Sequence, residues 1–200
     1  MFGDPVANPM AWEKVPLSSF GKLDRGKSKH RPRNAPHLYG AAYPFVQTGD
    51  VANSQSYILF CSQYYSEEGL KQSKLWPAGT LCITIAANIA KTAILTFDAC
   101  FPDSVVEFTV NQESKIDFVH HWFSFVQRTL EETAPESAQK NINLEILRDL
   151  VIIAPPLPLQ EKFAEIVQKF ERIRRQQCEA TRQAEHLFQT LLHRAFRGEL

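Results

Sequence analysis

No stretch of this chain holds 18 consecutive apolar residues, so nothing in it reads as a membrane span. The N-terminus lacks a basic stretch leading into an apolar core, and the expectation is therefore a soluble, cytoplasmic protein. Cysteine is sparse. Cys61, Cys82, Cys100 and Cys178 stand singly, three of them in apolar stretches, which excludes a Cys-x-x-Cys zinc site and a disulfide framework. Net charge is missing as well: 22 Lys and Arg balance 22 Asp and Glu. That balance alone argues against a simple basic nucleic-acid binder. There is no Gly-x-Ser-x-Gly elbow, no P-loop and no Gly-rich strand-to-helix turn, so no catalytic constellation is offered. After Pro158, glycine and proline vanish until Gly198, which removes every ordinary helix breaker from that stretch.

What fills the stretch is a seven-residue beat. Leu159, Ile166, Ile173, Ala180 and Leu187 form one row, and Phe163, Phe170, Gln177, Ala184 and Leu191 form the row four residues on. Alternating steps of four and three describe a helical seam rather than the broad face of a globular helix. At 1.5 Å per residue such a helix runs roughly 60 Å, further than a domain of about 150 residues can cover. A second helix is the expected cover, with Leu159, Phe163, Ile166, Phe170, Ile173, Ala184, Leu187 and Leu191 at the pairing interface and Gln177 setting register. Pro155-Pro156-Leu157-Pro158 stiffens the entry, so the expected division is residues 1–154 as a globular domain and 155–200 as the long helix.

Charge is balanced in total but not in place. Between Lys22 and Arg33 lie Lys22, Arg25, Lys27, Lys29, Arg31 and Arg33 against the single acid Asp24. Gly26, Pro32, Pro36 and Gly40 punctuate Asp24 to Gly40, so a long basic loop is expected there, a type of loop that is functional or disordered. Lys and Arg on permissive backbone suit phosphate oxygens, and a solvated loop is the plain alternative. Elsewhere β-rich runs are expected over Leu17 to Leu23, Tyr43 to Thr48, Thr80 to Ala86, Thr92 to Phe97, Val105 to Val110 and Val151 to Ala154. Helices are expected over Ser62 to Lys71, from an Asn111 cap through Ile116, Val119, Phe123, Val126 and Leu130, and over Leu144 to Leu150. The fold class is α/β, a mixed-sheet domain followed by a long C-terminal coiled-coil helix.

Smaller motifs carry less. Gln47 and Thr48 before Gly49-Asp50, and Ser137, Gln139 and Lys140 in a polar loop, have side chains suited to base edges or backbone, though taken alone they are ordinary turn chemistry. Asn88 reads as a turn residue. His120 and His121 are adjacent on a helix and point about 100° apart, so no metal is implied. Pro102-Asp103 with Glu113-Ser114-Lys115 spells the PD…ExK pattern of magnesium-dependent nucleases, but at a helix start residues two apart diverge. Asn8-Pro9-Met10-Ala11 lacks the second proline and the aromatic of the amino-methyltransferase tetrapeptide.

Taken together, several segments resemble the specificity subunits of type I restriction-modification systems. They are Arg25-Gly26-Lys27-Ser28-Lys29 with His30-Arg31-Pro32-Arg33, Tyr43 to Asp50, Pro77 to Asn88, Ala138 to Asn143, Pro155-Pro156-Leu157, and Leu187 to Leu200. The resemblance implies a target-recognition domain over 1–154 and a spacer helix over 155–200. It implies a non-catalytic reader of one half of a bipartite DNA site. Double-stranded DNA, modification (methyltransferase) subunits and, in cleaving complexes, a restriction subunit are the implied partners, with self-association through the long helix. No cofactor is implied for this chain; S-adenosylmethionine belongs to the modification subunit. Relatives in this family have two such domains and two helices, so one copy of each fits either the C-terminal half of a larger subunit or a half-length form that pairs with itself. On the chemistry of their side chains, Arg25, Lys27, Lys29, Arg31 and Arg33 are the expected phosphate contacts, one or two of them able to reach guanine edges instead, and Gln47, Thr48, Ser137, Gln139 and Lys140 the weaker candidates for base or backbone contacts. Two other readings stay open at this stage: an assembly protein acting through the helix without touching DNA, and the nuclease.

Overall fold

The computed structural model describes residues 1–30, 32, 34–86, 89–133 and 142–199, with side chains described to Gln127 in the third of these long stretches. It falls into two units, Met1–Gln160 and Glu161–Leu200. Along the first unit, β1 (Lys14–Pro16) precedes a 3-10 turn over Leu17–Ser19, and β2 (Gly21–Arg25) follows. A second 3-10 turn, Pro36–Leu38, leads into β3 (Tyr39–Phe45). Next come α1 (Thr48–Asn53), β4 (Tyr57–Ile58), β5 (Gln63–Tyr65) and α2 (Glu67–Lys71). Then β6 (Leu81–Thr84), β7 (Thr92–Leu95), β8 (Val105–Val110), α3 (Ile116–Thr133), α4 (Leu144–Asp149) and β9 (Val151–Ile153) complete the globular part, before α5 (Leu157–Phe196).

The main sheet has five strands in the order β2-β8-β6-β7-β4, antiparallel except for the parallel pair β4 and β7. It is a mixed sheet. Every residue of β6 and β7 is buried, as expected of central strands covered on both faces. On one side α1 packs against β6 and β7, while α3 packs against β7. The core gathers Val46, Val51, Ile58, Leu95 and Val105 around Trp76, whose ring stacks on Phe101 with centroids 4.0 Å apart. A smaller cluster of Ala35, Leu38, Phe45, Tyr65 and Cys100 lies under the separate β3–β5 sheet, with Phe45 stacked on Tyr65 at 4.0 Å. The pair β1–β9 ties the two ends of the globular part together.

Several local expectations give way to tertiary contacts. Leu17 to Leu23 is not one strand: Leu17 turns inward, fully buried, its N–H donating to the Leu150 carbonyl at 2.7 Å, and the strand begins only at Gly21. Ser62 to Lys71 is a strand and then a helix, because Tyr65 is drawn under Phe45 and Ser66 caps α2 by accepting the Gly69 N–H at 3.2 Å. Asn111 does not open α3. Its carboxamide closes a turn onto the Glu113 N–H at 3.0 Å and donates to the Ser19 carbonyl, so the helix starts at Ile116.

The 40 residues of α5 form one continuous helix with Pro158 in its first turn, where a missing N–H costs nothing. Its beginning is locked by Gln160, a buried amide that donates to the Pro155 carbonyl at 2.9 Å and accepts the Lys115 N–H at 3.1 Å. Its end is set by Gly198 in the left-handed region (φ +69°), with the Glu199 N–H turned back to the Arg194 carbonyl at 3.0 Å. Within the second unit, Glu179 bonds Arg182 at 2.7 Å, a pairing that pulls its carboxyl down to about 2. Every residue from Arg172 to Glu199 is exposed. Among the described residues no helix is long and apolar enough to cross a membrane.

Candidate nucleic-acid interface

The segment after β2 is not a free loop. Its burial alternates: Arg25, Lys27 and Lys29 are exposed, while Gly26 and Ser28 are buried between them. Extended backbone produces this pattern, because successive side chains point to opposite sides and every second one stands about 6.6 Å further on. Anchors run along its whole length. The Gly26 N–H donates to the Val105 carbonyl at 2.9 Å and the Lys27 N–H to the Phe101 carbonyl at 3.1 Å. The Lys27 carbonyl accepts from Ser73 Oγ at 2.7 Å, and the His30 N–H donates to Gln72 Oε1 at 2.9 Å. Glycine is required at position 26, because an added Cβ would stand 2.1 Å from the Pro102 carbonyl oxygen. Ser28 Oγ meets the Tyr65 hydroxyl at 3.4 Å beneath the strip.

Three cations therefore project in register from a braced edge. Lys27 and Lys29 have no carboxylate partner among the described residues, whereas the Arg25 guanidinium donates to the Asp103 carbonyl. The one acid expected nearby, Asp24, is taken up by Lys74 at 3.3 Å, and that ammonium also stands 4.9 Å from the Trp76 ring. Unpaired ammonium groups held on rigid backbone suit a row of phosphates, since no ion pair must break when they bind. Arg31 and Arg33 lie outside the described residues.

A second group forms at the other end of β5. Gln47 follows β3, and its N–H donates to Asp50 Oδ2 at 2.8 Å, closing the entry to α1; Thr48 is the first residue of that helix. Gln47 Nε2 donates to Gln63 Oε1. Gln63 opens β5 and Tyr65 closes it, so the amide pair and the tyrosine that meets Ser28 beneath the cation strip belong to one three-residue strand, about 7 Å from end to end. Gln63 escapes a reading of the sequence, because only the β3–β5 pairing brings it beside Gln47. Ser137, Gln139, Lys140 and Asn88 fall outside the described residues, and nothing in the geometry adds to their case. At the Tyr65 end of β5, Glu67 accepts from the Tyr43 hydroxyl at 3.1 Å and holds that phenol above its ordinary range.

The other motifs resolve into structure. Asp103 precedes β8 and Glu113 follows it, so a six-residue strand of about 20 Å separates two groups that a shared Mg²⁺ would need within a few ångströms. The nuclease reading fails on that distance. His120 is buried, its Nδ1 meeting Thr92 Oγ1 at 2.9 Å, and burial with help from His121 drives its pKa down to about 3. His121 Nδ1 bonds the Asp117 carbonyl at 2.8 Å. Each ring is spent on its own hydrogen bond. Cys61, Cys82 and Cys100 are buried free thiols, and burial beside Glu107 pushes Cys82 further up.

Residues 9–185 match the family described as "Type I restriction modification DNA specificity domain". The type I restriction enzyme EcoBI specificity subunit of Escherichia coli is 30% identical over 132 residues, which are 60% of this chain and 27% of that protein. In fold, the chain is similar to the HsdS subunit from Thermoanaerobacter tengcongensis: TM-score 0.61, 20% identity, covering 96% of this chain and 46% of that one. A structure described as the basis of complex assembly and conformational transition of the type I R-M system gives a TM-score of 0.63 at 19% identity, over 96% and 47%. The type I system S subunit from M. genitalium gives 0.61 at 15% identity, over 82% and 40%. The chain thus spans less than half the length of each of these relatives.

Proposed function

This chain belongs to the type I restriction-modification DNA specificity family, and from that premise we propose that Met1–Gln160 reads one half of a split DNA site while α5 pairs with the α5 of a second copy. The observation that carries the reading is the braced strip of Arg25, Lys27 and Lys29, which presents cations without carboxylate partners and rests through Ser28 on Tyr65, two residues from the amide pair at Gln63. Phosphate contacts fix position and amides suit base edges, so the strip and the Gln47 side of β5 divide the work of binding and reading. Arg31, Arg33, Thr48, Ser137, Gln139 and Lys140 remain further contacts in this proposal.

For α5, the support is its exposed seam. Ile166, Phe170, Ile173, Leu187 and Leu191 are each at least 40% exposed, a row that water covers poorly and a partner helix covers well. Pairing two copies places two identical readers on one duplex, which calls for a palindromic split site. Adenine methylation and S-adenosylmethionine binding are assigned to a modification subunit, with a restriction subunit joining for cleavage, all in the cytoplasm. This chain carries recognition alone.

The test is to reconstitute the chain with its modification subunit and map methylated adenines on genomic DNA. A two-part methylated motif with symmetric halves is expected. Methylation with no split motif would remove recognition and leave an assembly protein acting through its helix.

A further inference from the structure

One exposed feature just before β5 is apolar. Leu59 and Phe60, in succession between β4 and β5, are 55% and 79% exposed, although Ile58 before them is fully buried and Cys61 after them nearly so. The tip does not fray. Thr96 Oγ1 donates to the Ile58 carbonyl at 2.6 Å, the Ser62 N–H to Asp50 Oδ1 at 3.3 Å, and Cys61 Sγ to the Gln63 carbonyl at 3.2 Å. Single exposed apolar residues are ordinary, but two large ones in a row on a pinned tip call for an occupant.

The surroundings say which occupant. A protein-binding surface would set more apolar area around Phe60, since the buried heart of such interfaces is apolar. Ser62 and Gln63 follow the tip instead, Gln63 bonded to Gln47, and the exposed side chain beyond them, Tyr64, carries a hydroxyl. With Gln63 Oε1 engaged by Gln47, Gln63 Nε2 remains as a donor, and the minor groove presents acceptors on every base pair. Phe60 is five residues from Tyr65, whose hydroxyl meets Ser28 between Lys27 and Lys29. Five residues span at most about 18 Å, and the Tyr65 side chain with its 3.4 Å contact to Ser28 completes the path, so tip and cation strip still fit within one duplex turn of roughly 34 Å.

We propose that Phe60, supported by Leu59, is a wedge that enters the minor groove and parts one base step at the edge of the recognised half-site. This rests on the reading of the chain as a DNA-recognition unit. An apolar ring between base pairs, with a neighbouring amide donor in the groove and cations on the flanking phosphates, accounts for the tip, the amide pair and the strip together. The wedge adds specificity for steps that unstack easily, beyond what hydrogen bonds to base edges supply.

The experiment uses the full chain reconstituted with its modification subunit, on a duplex carrying the methylated motif. 2-Aminopurine replaces each position in and beside the motif in turn, and donor and acceptor dyes on the duplex ends report bending. The wild-type complex is expected to brighten the probe at one step and to kink the duplex. Phe60→Ala should lose both signals and bind about tenfold more weakly, as for removal of one base–aromatic stack, with an unchanged salt slope. Phe60→Leu should keep the kink. Because the side chain is exposed, both variants should melt as the wild type does. Equal brightening and bending by wild type and Phe60→Ala, or no brightening at any step, overturns the wedge while recognition stands. Loss of the modification subunit from Phe60→Ala with DNA binding intact assigns the tip to a protein partner and also overturns it. A wild-type complex that does not prefer the motif removes the recognition reading itself, and the wedge with it.

Discussion

Lys27 and Lys29 offer the most direct residue-scale test, because their ammonium groups are exposed and unpaired while their backbone is pinned. Removing one cation from a phosphate should flatten the dependence of log K on log salt by about 0.9, so Lys27→Ala with Lys29→Ala should flatten it by about 2 and weaken binding at low salt. An unchanged slope in fluorescence titrations would move the interface elsewhere. That this stretch is basic was plain from the sequence. That it is a rigid strip was not, because its anchors Val105, Phe101, Gln72 and Ser73 lie 42 or more residues away and carry no local signal. His120 is the second test. Burial lowers its folded pKa to about 3 from an ordinary 6.5, so between those values the unfolded chain binds one more proton than the folded one. The stability that a neutral His120 contributes is therefore fully present above about pH 6.5 and is lost with acid, at up to about 1.4 kcal/mol per pH unit down to about pH 3. Urea midpoints at pH 7 and pH 5 should show a slope shallower by one proton in His120→Asn, and equal slopes would mean the imidazole is charged in the fold. Helix periodicity marked His120 as a helical residue, but only the packing of α3 on β7 showed that it is buried against Thr92.

Among the elements, long and strongly periodic ones were legible and short ones were not. The apolar rows from Leu159 to Leu191 specify a helix without outside help, and α5 follows them over 40 residues. β4 is two residues and β1 three; neither carries a pattern of its own, and each exists because a partner strand, β7 or β9, is already there. The same holds for α1, a six-residue turn of helix closed by the Asp50 carboxylate on the Gln47 N–H. Because these short pieces place Gln63 and Phe60, the amide pair and the tip stay hidden until the β3–β5 sheet forms. For α5 itself, Ile173 is 47% exposed at the middle of the seam, and Ile173→Asp would set two carboxylates into a paired, apolar interface. Sedimentation equilibrium should then show pairing weakened roughly a hundredfold, about 2.7 kcal/mol, with far-UV circular dichroism and the melting of Met1–Gln160 preserved. Unaltered self-association would place the pairing surface off this row.

On the scale of the whole molecule, two units of different design are joined in one chain: a packed mixed-sheet domain with its own cores, and a helix that is exposed at every residue from Arg172 to its end at Phe196. If the paired helices set the distance between two readers, their length must be written into the DNA motif as a spacer. Seven residues inserted after Gln177 lengthen the helix by about 10.5 Å and fall only about 20° short of two full turns, so the apolar rows stay on one face. At about 3.4 Å per base pair, that length is roughly three base pairs. The methylated half-sites should therefore stay the same while the spacer between them grows by about three. An insertion of five residues adds about 7.5 Å but turns the distal rows by about 140°, so the helices should fail to pair and methylation of any split motif should be lost. A ruler makes both outcomes necessary, since length alone would allow the five-residue form to work and seam continuity alone would leave the spacer unchanged. Methylation mapping of the two insertion forms reads length and phase separately. A seven-residue form that methylates with the original spacing would show that something other than α5 sets the distance.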